Sequence, residues 1–409
     1  MQDGERKNVT IKQNDEMEVK GMFQANVGSS IMESAKEAGK EAAQAAARGL
    51  EDIKMAFVYC SCAYDAAEVM KGVKEIMPGA LCLGNTSFTG VIVPAGFVGG
   101  DHKFVGVMAF ADPEMCVGVA SAAKSGDAFL LGEKMAKEAM QAAGKTTAPD
   151  YFYMAASPVE EEYYLKGISK VIGRIPFFGG SAADNSISGD WKLYCEEEIF
   201  GDGAAVAFFY GGPKMTNLFT GAYRETNDFG VITKIAGNRT LMEIDGMPAT
   251  KKYQEWTGCS EEAVSGGNLL ATTITSPLGV KDRLGDLIAI RHPMNGNSDG
   301  SMNIGNKLAE KTCVIRMEAS VDELIAAVSA TLKELIASMP GKPLAFHLVH
   351  CGGRRAGIGD RIDEVARAVQ DEAGDVPFIV EFTFGEYGYT SDNNNTCGGL
   401  MLSFTGFSE

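Results

Sequence analysis

Apolar and polar positions along this chain alternate between two periods, and the alternation recurs. Residues 30–50 are alanine-rich with apolar positions at helical spacing, and 54–61 follow as an apolar run of strand length. The same order returns as helix 126–144 before strand 151–157, and as helix 320–339 before strand 344–351. Each strand feeds a second helix, at 66–77, 160–172 and 361–372, and each of these ends near a proline: Pro78, Pro176 and Pro377. Proline cannot continue a helix, so it marks the stop. A short apolar strand then enters a turn rich in glycine: L-C-L-G-N-T-S-F-T-G (81–90), F-F-G-G-S-A-A-D-N (177–185) and F-I-V-E-F-T-F-G-E-Y-G (378–388). Apolar strands at 104–110, 204–210 and 400–404 close the pattern. It predicts a mixed α/β (α+β) fold of three pseudo-repeats of β-α-β-α-β-β-β type, spaced by about 96 residues or twice that.

Residues 213–307 break the pattern and read as a β-rich intervening segment. Positions 229–241 alternate around Gly237-Asn238, which predicts a hairpin. A short helix is expected at 250–256, strands at 269–274 and 287–291, and a loop at 292–300.

Composition narrows the field. The chain has 409 residues, 45% apolar and 22% charged, enough for a sizeable core in two or three domains. With 37 basic and 54 acidic residues the net charge is −17, and no run of basic residues offsets it, so nucleic-acid binding is not expected. No stretch approaches the roughly 20 apolar residues of a membrane helix. Residues 1–20 are too polar for a signal peptide and read as a loose tail. Nine cysteines without disulfide-style spacing suggest reduced thiols and a cytoplasmic protein. No Cys/His cluster has zinc spacing, and no glycine motif sits where a nucleotide would need it, so no metal or cofactor is expected.

Several stretches together resemble the FIST family, with a FIST N region followed by a FIST C region. They are P-G-A-L-C-L-G-N-T-S (78–87), F-F-G-G-S-A-A-D-N (177–185), the closest match at 229–249, H-C-G-G-R-R (350–355), F-G-E (384–386) and N-N-T (394–396). The resemblance implies a sensory domain for small ligands such as amino acids. It also implies partners among histidine kinases, chemotaxis receptors and cyclic-dinucleotide enzymes. Two departures bear on the ligand: Asn85 stands where the family usually has cysteine, and Phe88-Thr89-Gly90 where Ala-Gly-Glu is typical. The organisation expected is a tail at 1–21, a FIST N-like region at 22–245 and a FIST C-like region at 246–409.

Candidate chemistry follows the turns. Arg354 and Arg355 are read in a loop directly after a strand, where α/β proteins commonly hold ligands, and a guanidinium there can pair with a carboxylate. The alternative is a solvated arginine or an ion pair with Asp360 or Glu364. Glu386, flanked by glycine, can meet an ammonium group, or be a surface turn residue. Ser87, Ser181 and Asp184 occupy comparable turns and can line a pocket or cap the turn. Asn394, Asn395 and Thr396 can line the same cleft, or form an ordinary asparagine-rich loop. Cys351 is a candidate lining thiol. As a nucleophile it lacks a histidine in a triad-like context, since His350 points to the opposite face of its strand. Alanine- and methionine-rich helix faces read as core or as a homo-oligomer seam. The reading is a small-ligand sensor for an amino-acid-like molecule or small carboxylate, without catalytic residues. The alternatives are a repeat-built amidohydrolase, which needs a serine–lysine or cysteine–histidine pair, and a scaffold presenting an apolar patch.

Overall fold

The computed structural model describes residues 22–266, 268–281, 288–389 and 395–409. The expected tail at 1–21 and Asn394 lie outside the described residues.

Three six-stranded sheets carry most of the chain and share one strand order. The first runs from the opening strand Gln24–Ser30 to the closing strand Val105–Ala111, then to the inner strands Ile53–Cys60 and Leu81–Thr86. The second repeats this with Cys116–Ala123, Gly203–Tyr210, Tyr151–Ala156 and Phe177–Ser181. The third does so with Lys214–Thr220, Leu402–Ser408, Pro343–Cys351 and Phe378–Thr383. In each sheet the two inner strands are parallel, with helix Ala66–Ile76, Glu161–Ile172 or Ile362–Ala373 in the connection between them. Each is completed by a hairpin belonging to another part of the chain. The first receives Leu193–Cys195 and Glu198–Phe200, the second Glu386–Tyr389 and Asn395–Gly398, the third Gly90–Val93 and Gly96–Gly99. The hairpins are therefore exchanged in a ring.

Both faces of the inner strands are covered, which explains their continuous apolar runs. In Ile53–Cys60, Met55, Phe57 and Tyr59 face the centre, where the three sheets meet. Ala56, Val58 and Cys60 face the helices. Helix Ala35–Ala47 approaches helix Ala66–Ile76 so closely that a Cβ on Gly39 would lie 2.2 Å from the Val69 carbonyl oxygen, and one on Gly72 would lie 2.1 Å from that of Lys36. Ala38, Ala42, Ala43 and Ala46 are buried without exposure on that helix. Small side chains here are what the helix crossing requires, so the alanine-rich faces are core.

The centre also holds a sealed polar network. Tyr59 bonds the His347 ring at 2.5 Å and donates to Tyr153 at 3.2 Å; Tyr153 donates to Asn85 at 3.1 Å, and Asn85 donates to Glu381 at 3.0 Å. All five side chains are fully buried. Burial raises the Glu381 carboxyl to about 8 and lowers His347 to about 3, so both are neutral near pH 7.

The intervening segment forms its own sheet, in the order Ile288–Arg291, Leu278–Lys281, Cys313–Glu318, Arg224–Ala236, Thr240–Ile244, Met302–Ile304, Pro293–Gly296. The expected hairpin is Arg224–Ala236 with Thr240–Ile244, and the expected helix is Ala249–Thr257. Three expectations are corrected. Residues 269–274 hold the short helix Leu270–Thr273, not a strand. The expected loop at 292–300 contains the strand Pro293–Gly296. Lys214–Thr220 belongs to the third sheet. Among the described residues no helix is long and apolar enough to cross a membrane.

Candidate functional site

The turns after the inner strands of all three sheets converge beneath the intervening segment, and a hollow of about 190 Å³ lies between them. Phe88 comes from the first turn and Trp191 from the second. The third sheet contributes Cys351, Gly352, Gly353, Phe384 and Leu400, and the intervening segment contributes Arg239, Leu270, Ile274, His292, Met294 and Ile304. Phe384 forms an aromatic corner, its ring 5.8 Å from Phe88 and 6.3 Å from Trp191. Most of the wall is hydrocarbon or aromatic, so it holds a ligand body mainly by excluding water.

Three polar groups interrupt that wall. His292 is nearly buried, and its Nδ1 has no hydrogen-bond partner. Its ring is closely flanked by glycine: a Cβ on Gly305 would lie 2.1 Å from Cε1, and one on Gly399 would lie 2.4 Å from it. Burial, with the charges of Arg239 and Arg291, lowers the imidazole to about 4, so it is neutral near pH 7. Arg239 is committed elsewhere. It donates to the carbonyls of Gly305 and Val159 and pairs with Glu161 and Glu162, fastening the intervening segment to the second sheet.

Cys351 ends its strand and caps the short helix Gly352–Ile358. Its sulfur accepts N–H groups from Gly353 at 3.3 Å and Leu400 at 3.2 Å. Burial and the Glu386 carboxylate raise the thiol well above its usual range. Cys351 and His292 thus share one hollow as two neutral groups, and no hydrogen bond joins them among the described residues. A thiolate–imidazolium nucleophile needs the opposite protonation of both. Nor, among the described residues, does Ser87 or Ser181 bond a lysine.

Arg354 and Glu386 lie one layer below the wall. The stretch read as a loop after Cys351 is helical, and it turns Arg354 inward with no exposure. Arg354 Nη2 donates to the Leu324 carbonyl at 2.7 Å, while Nε and Nη1 have no partner. Arg355 donates to Gly359 instead of pairing with Asp360 or Glu364. Glu386 accepts from Thr383 Oγ1 at 3.0 Å and Met401 N at 2.9 Å, and it lies near enough to the Cys351 thiol for each group to bear on the other's charge. Burial raises it to about 8. Cys351 is therefore the link between the hollow and this layer.

The other expected residues have separate places. Ser87 donates to the Gly90 carbonyl at 2.7 Å and accepts from Phe382 N at 2.9 Å, stapling the first turn to the third sheet. Ser181 bonds the Tyr387 hydroxyl at 2.6 Å. Burial would raise the Asp184 carboxylate, but N–H groups of Ser186, Asp190, Gly189 and Ser188 outweigh it and hold the group below its usual range. This is turn capping. Thr396 and Asn395 line a different hollow. Reading the sequence alone missed Arg239, His292 and Trp191 at the hollow. His292 was legible only as one histidine beside a proline, and nothing local ties it to Cys351. No group of metal-ligating side chains occurs among the described residues.

The fold defines an α/β protein of several mixed sheets with a hollow at their junction. The chain belongs to the FIST family: the FIST N domain model matches residues 54–247 and the FIST C domain model matches 249–389. FIST domains are sensory domains linked to signal transduction. No curated protein matches the chain. Among solved structures, cyanuric acid hydrolase from A. caulinodans is similar at 10% identity, covering 95% of this chain and 99% of that one, with a TM-score of 0.37. PurLQS from Thermotoga maritima is similar at 10% identity, 95% and 73% coverage and a TM-score of 0.23. Likenesses this distant carry no argument about function.

Proposed function

We propose that this FIST protein is a small-ligand sensor whose ligand occupies the 190 Å³ hollow, and that it signals through a separate partner. Candidate partners are a histidine kinase, a chemotaxis receptor or a cyclic-dinucleotide enzyme. The observation that carries the reading is the origin of the walls. All three sheets and the intervening segment contribute, so one ligand touches four parts of the chain. Occupancy then favours whichever arrangement brings those parts together.

The lining favours a compact ligand with an apolar or aromatic body and one neutral polar end facing His292. It does not favour the amino acid or small carboxylate suggested by Arg354 and Glu386. Neither residue reaches the wall, and Arg239 already has two carboxylate partners. A buried carboxylate without a free cation is heavily penalised.

Trp191 supplies a direct readout, since the other tryptophan, Trp256, lies outside the hollow. In a Trp256→Phe protein, a panel of neutral aromatics, amino acids and small carboxylates is screened by Trp191 fluorescence and thermal shift. A ligand at 100 times its dissociation constant adds about 2.7 kcal/mol. Ala356→Phe, which places a ring in the hollow, is expected to abolish both signals while leaving the fold intact. A panel without responders, or a response that survives Ala356→Phe, would overturn the assignment.

A further inference from the structure

A second hollow has the opposite chemistry. It encloses about 490 Å³ between the second sheet's helix, the intervening segment and the hairpin strand Asn395–Gly398. Four cationic residues line it: Lys166, Arg174, Arg291 and Lys307. They come from two distant stretches of a chain whose net charge is −17. Among the described residues, Lys166, Arg291 and Lys307 have no carboxylate within ion-pair distance, and the Lys307 ammonium rests over the Tyr163 ring, 4.7 Å from its centroid. The lining's own carboxylate, Glu162, is committed to Arg239, and it also accepts the Lys307 N–H at 3.1 Å. Arg291 reaches only the carbonyl of Ile290, at 3.0 Å, and its buried Nε has no partner.

Gathering like charges around one hollow is unfavourable unless an anion neutralises them. Lysines that served only solubility would be spread over the surface. The guanidinium of Arg291, with a free donor at depth, is suited to a forked hydrogen bond with phosphate or carboxylate. Leu165, Val280 and Leu308 add an apolar wall for a carbon frame.

We infer that this hollow is a binding site for a small organic polyanion, a phosphate ester or a polycarboxylate, held by Lys166, Arg291 and Lys307. It is distinct from the hollow assigned to the sensed ligand, and Thr396 sits on its rim.

The test is calorimetric titration of the full chain with pyrophosphate and, separately, with citrate, at low ionic strength. Binding of either is expected to weaken about tenfold in Lys166→Ala/Lys307→Ala, and to weaken with added salt. Both lysines are exposed, so this variant should melt as the wild type does. Arg291→Gln, checked for folding by circular dichroism, should weaken binding further. Pyrophosphate alone would mark a phosphate site, and citrate alone a carboxylate site. Ala356→Phe should bind both as the wild type does, which separates this site from the sensory hollow. If neither anion binds, or the double lysine variant binds as tightly as wild type, the inference fails.

Discussion

Glu381 and Glu386 lie five residues apart on consecutive strands, both fully buried, both raised by burial to about 8. Their surroundings differ. Glu381 is closed into the central network, where Asn85 donates to it, and it lines neither of the two hollows. Glu386 neighbours the Cys351 thiol, and Cys351 lines the hollow. A displaced pKa therefore does not by itself mark a ligand site in this protein. Contact with a cavity, even through one intermediary, separates the two carboxyls.

The largest effect expected from this pair is on pH dependence. Each carboxyl titrates near 4.5 when unfolded and near 8 when folded. Their stabilising contribution is thus complete below about pH 4.5 and is lost as pH rises through about 8. In that window stability should fall by about 1.4 kcal/mol per pH unit for each group. His292 acts in the other direction. Its folded value of about 4 lies below 6.5, so its contribution is present above pH 6.5 and is lost as pH falls through 4. Urea denaturation across pH should show stability declining on both sides of a mildly acidic maximum. Glu381→Gln and Glu386→Gln should each flatten the alkaline side by one group. If only one does, the two carboxyls are not electrostatically alike.

Glu381→Ala comes next. It leaves a cavity and strips Asn85 of an acceptor, so about 3 kcal/mol of stability should be lost. Ligand-induced stabilisation should keep its wild-type size, measured by thermal shift. A loss of ligand response without loss of stability would assign Glu381 to the site. The smallest effect is reserved for Cys351→Ser, which keeps the hydrogen bonds and removes the larger sulfur. It should alter ligand affinity a few-fold, about 1 kcal/mol or less, with stability little changed. No effect on affinity would separate the layer of Glu386 from the hollow.

Much of the fold was legible in the sequence, because the helices and inner strands carry strong periodicity and end on prolines or glycines. The expected helix at 320–339 is Val321–Ser338, and the expected strand at 344–351 is Pro343–Cys351. What failed was short or of mixed polarity. Four-residue Leu270–Thr273 is too brief for periodicity to distinguish helix from strand. Gln24–Ser30 is an edge strand of partly exposed residues, with little apolar signal. The site was half legible. Cys351 was found at a strand end, but His292 and Arg239 reach it only through the docking of the intervening segment. Arg354 was read as facing a ligand because arginine is usually exposed, whereas the short helix turns it inward.

The ring of exchanged hairpins also dictates an order of assembly on the ribosome. The first hairpin, Gly90–Val93 with Gly96–Gly99, is synthesised early, yet its place is beside Phe378–Thr383, where Val91 pairs with Glu381. The apolar Val91, Ile92 and Val93 must therefore wait for nearly the whole chain to emerge. Until then they form an unpaired strand edge, the kind of surface chaperones shield and aggregates recruit. Truncated or stalled chains should consequently depend on such protection far more than the finished protein does.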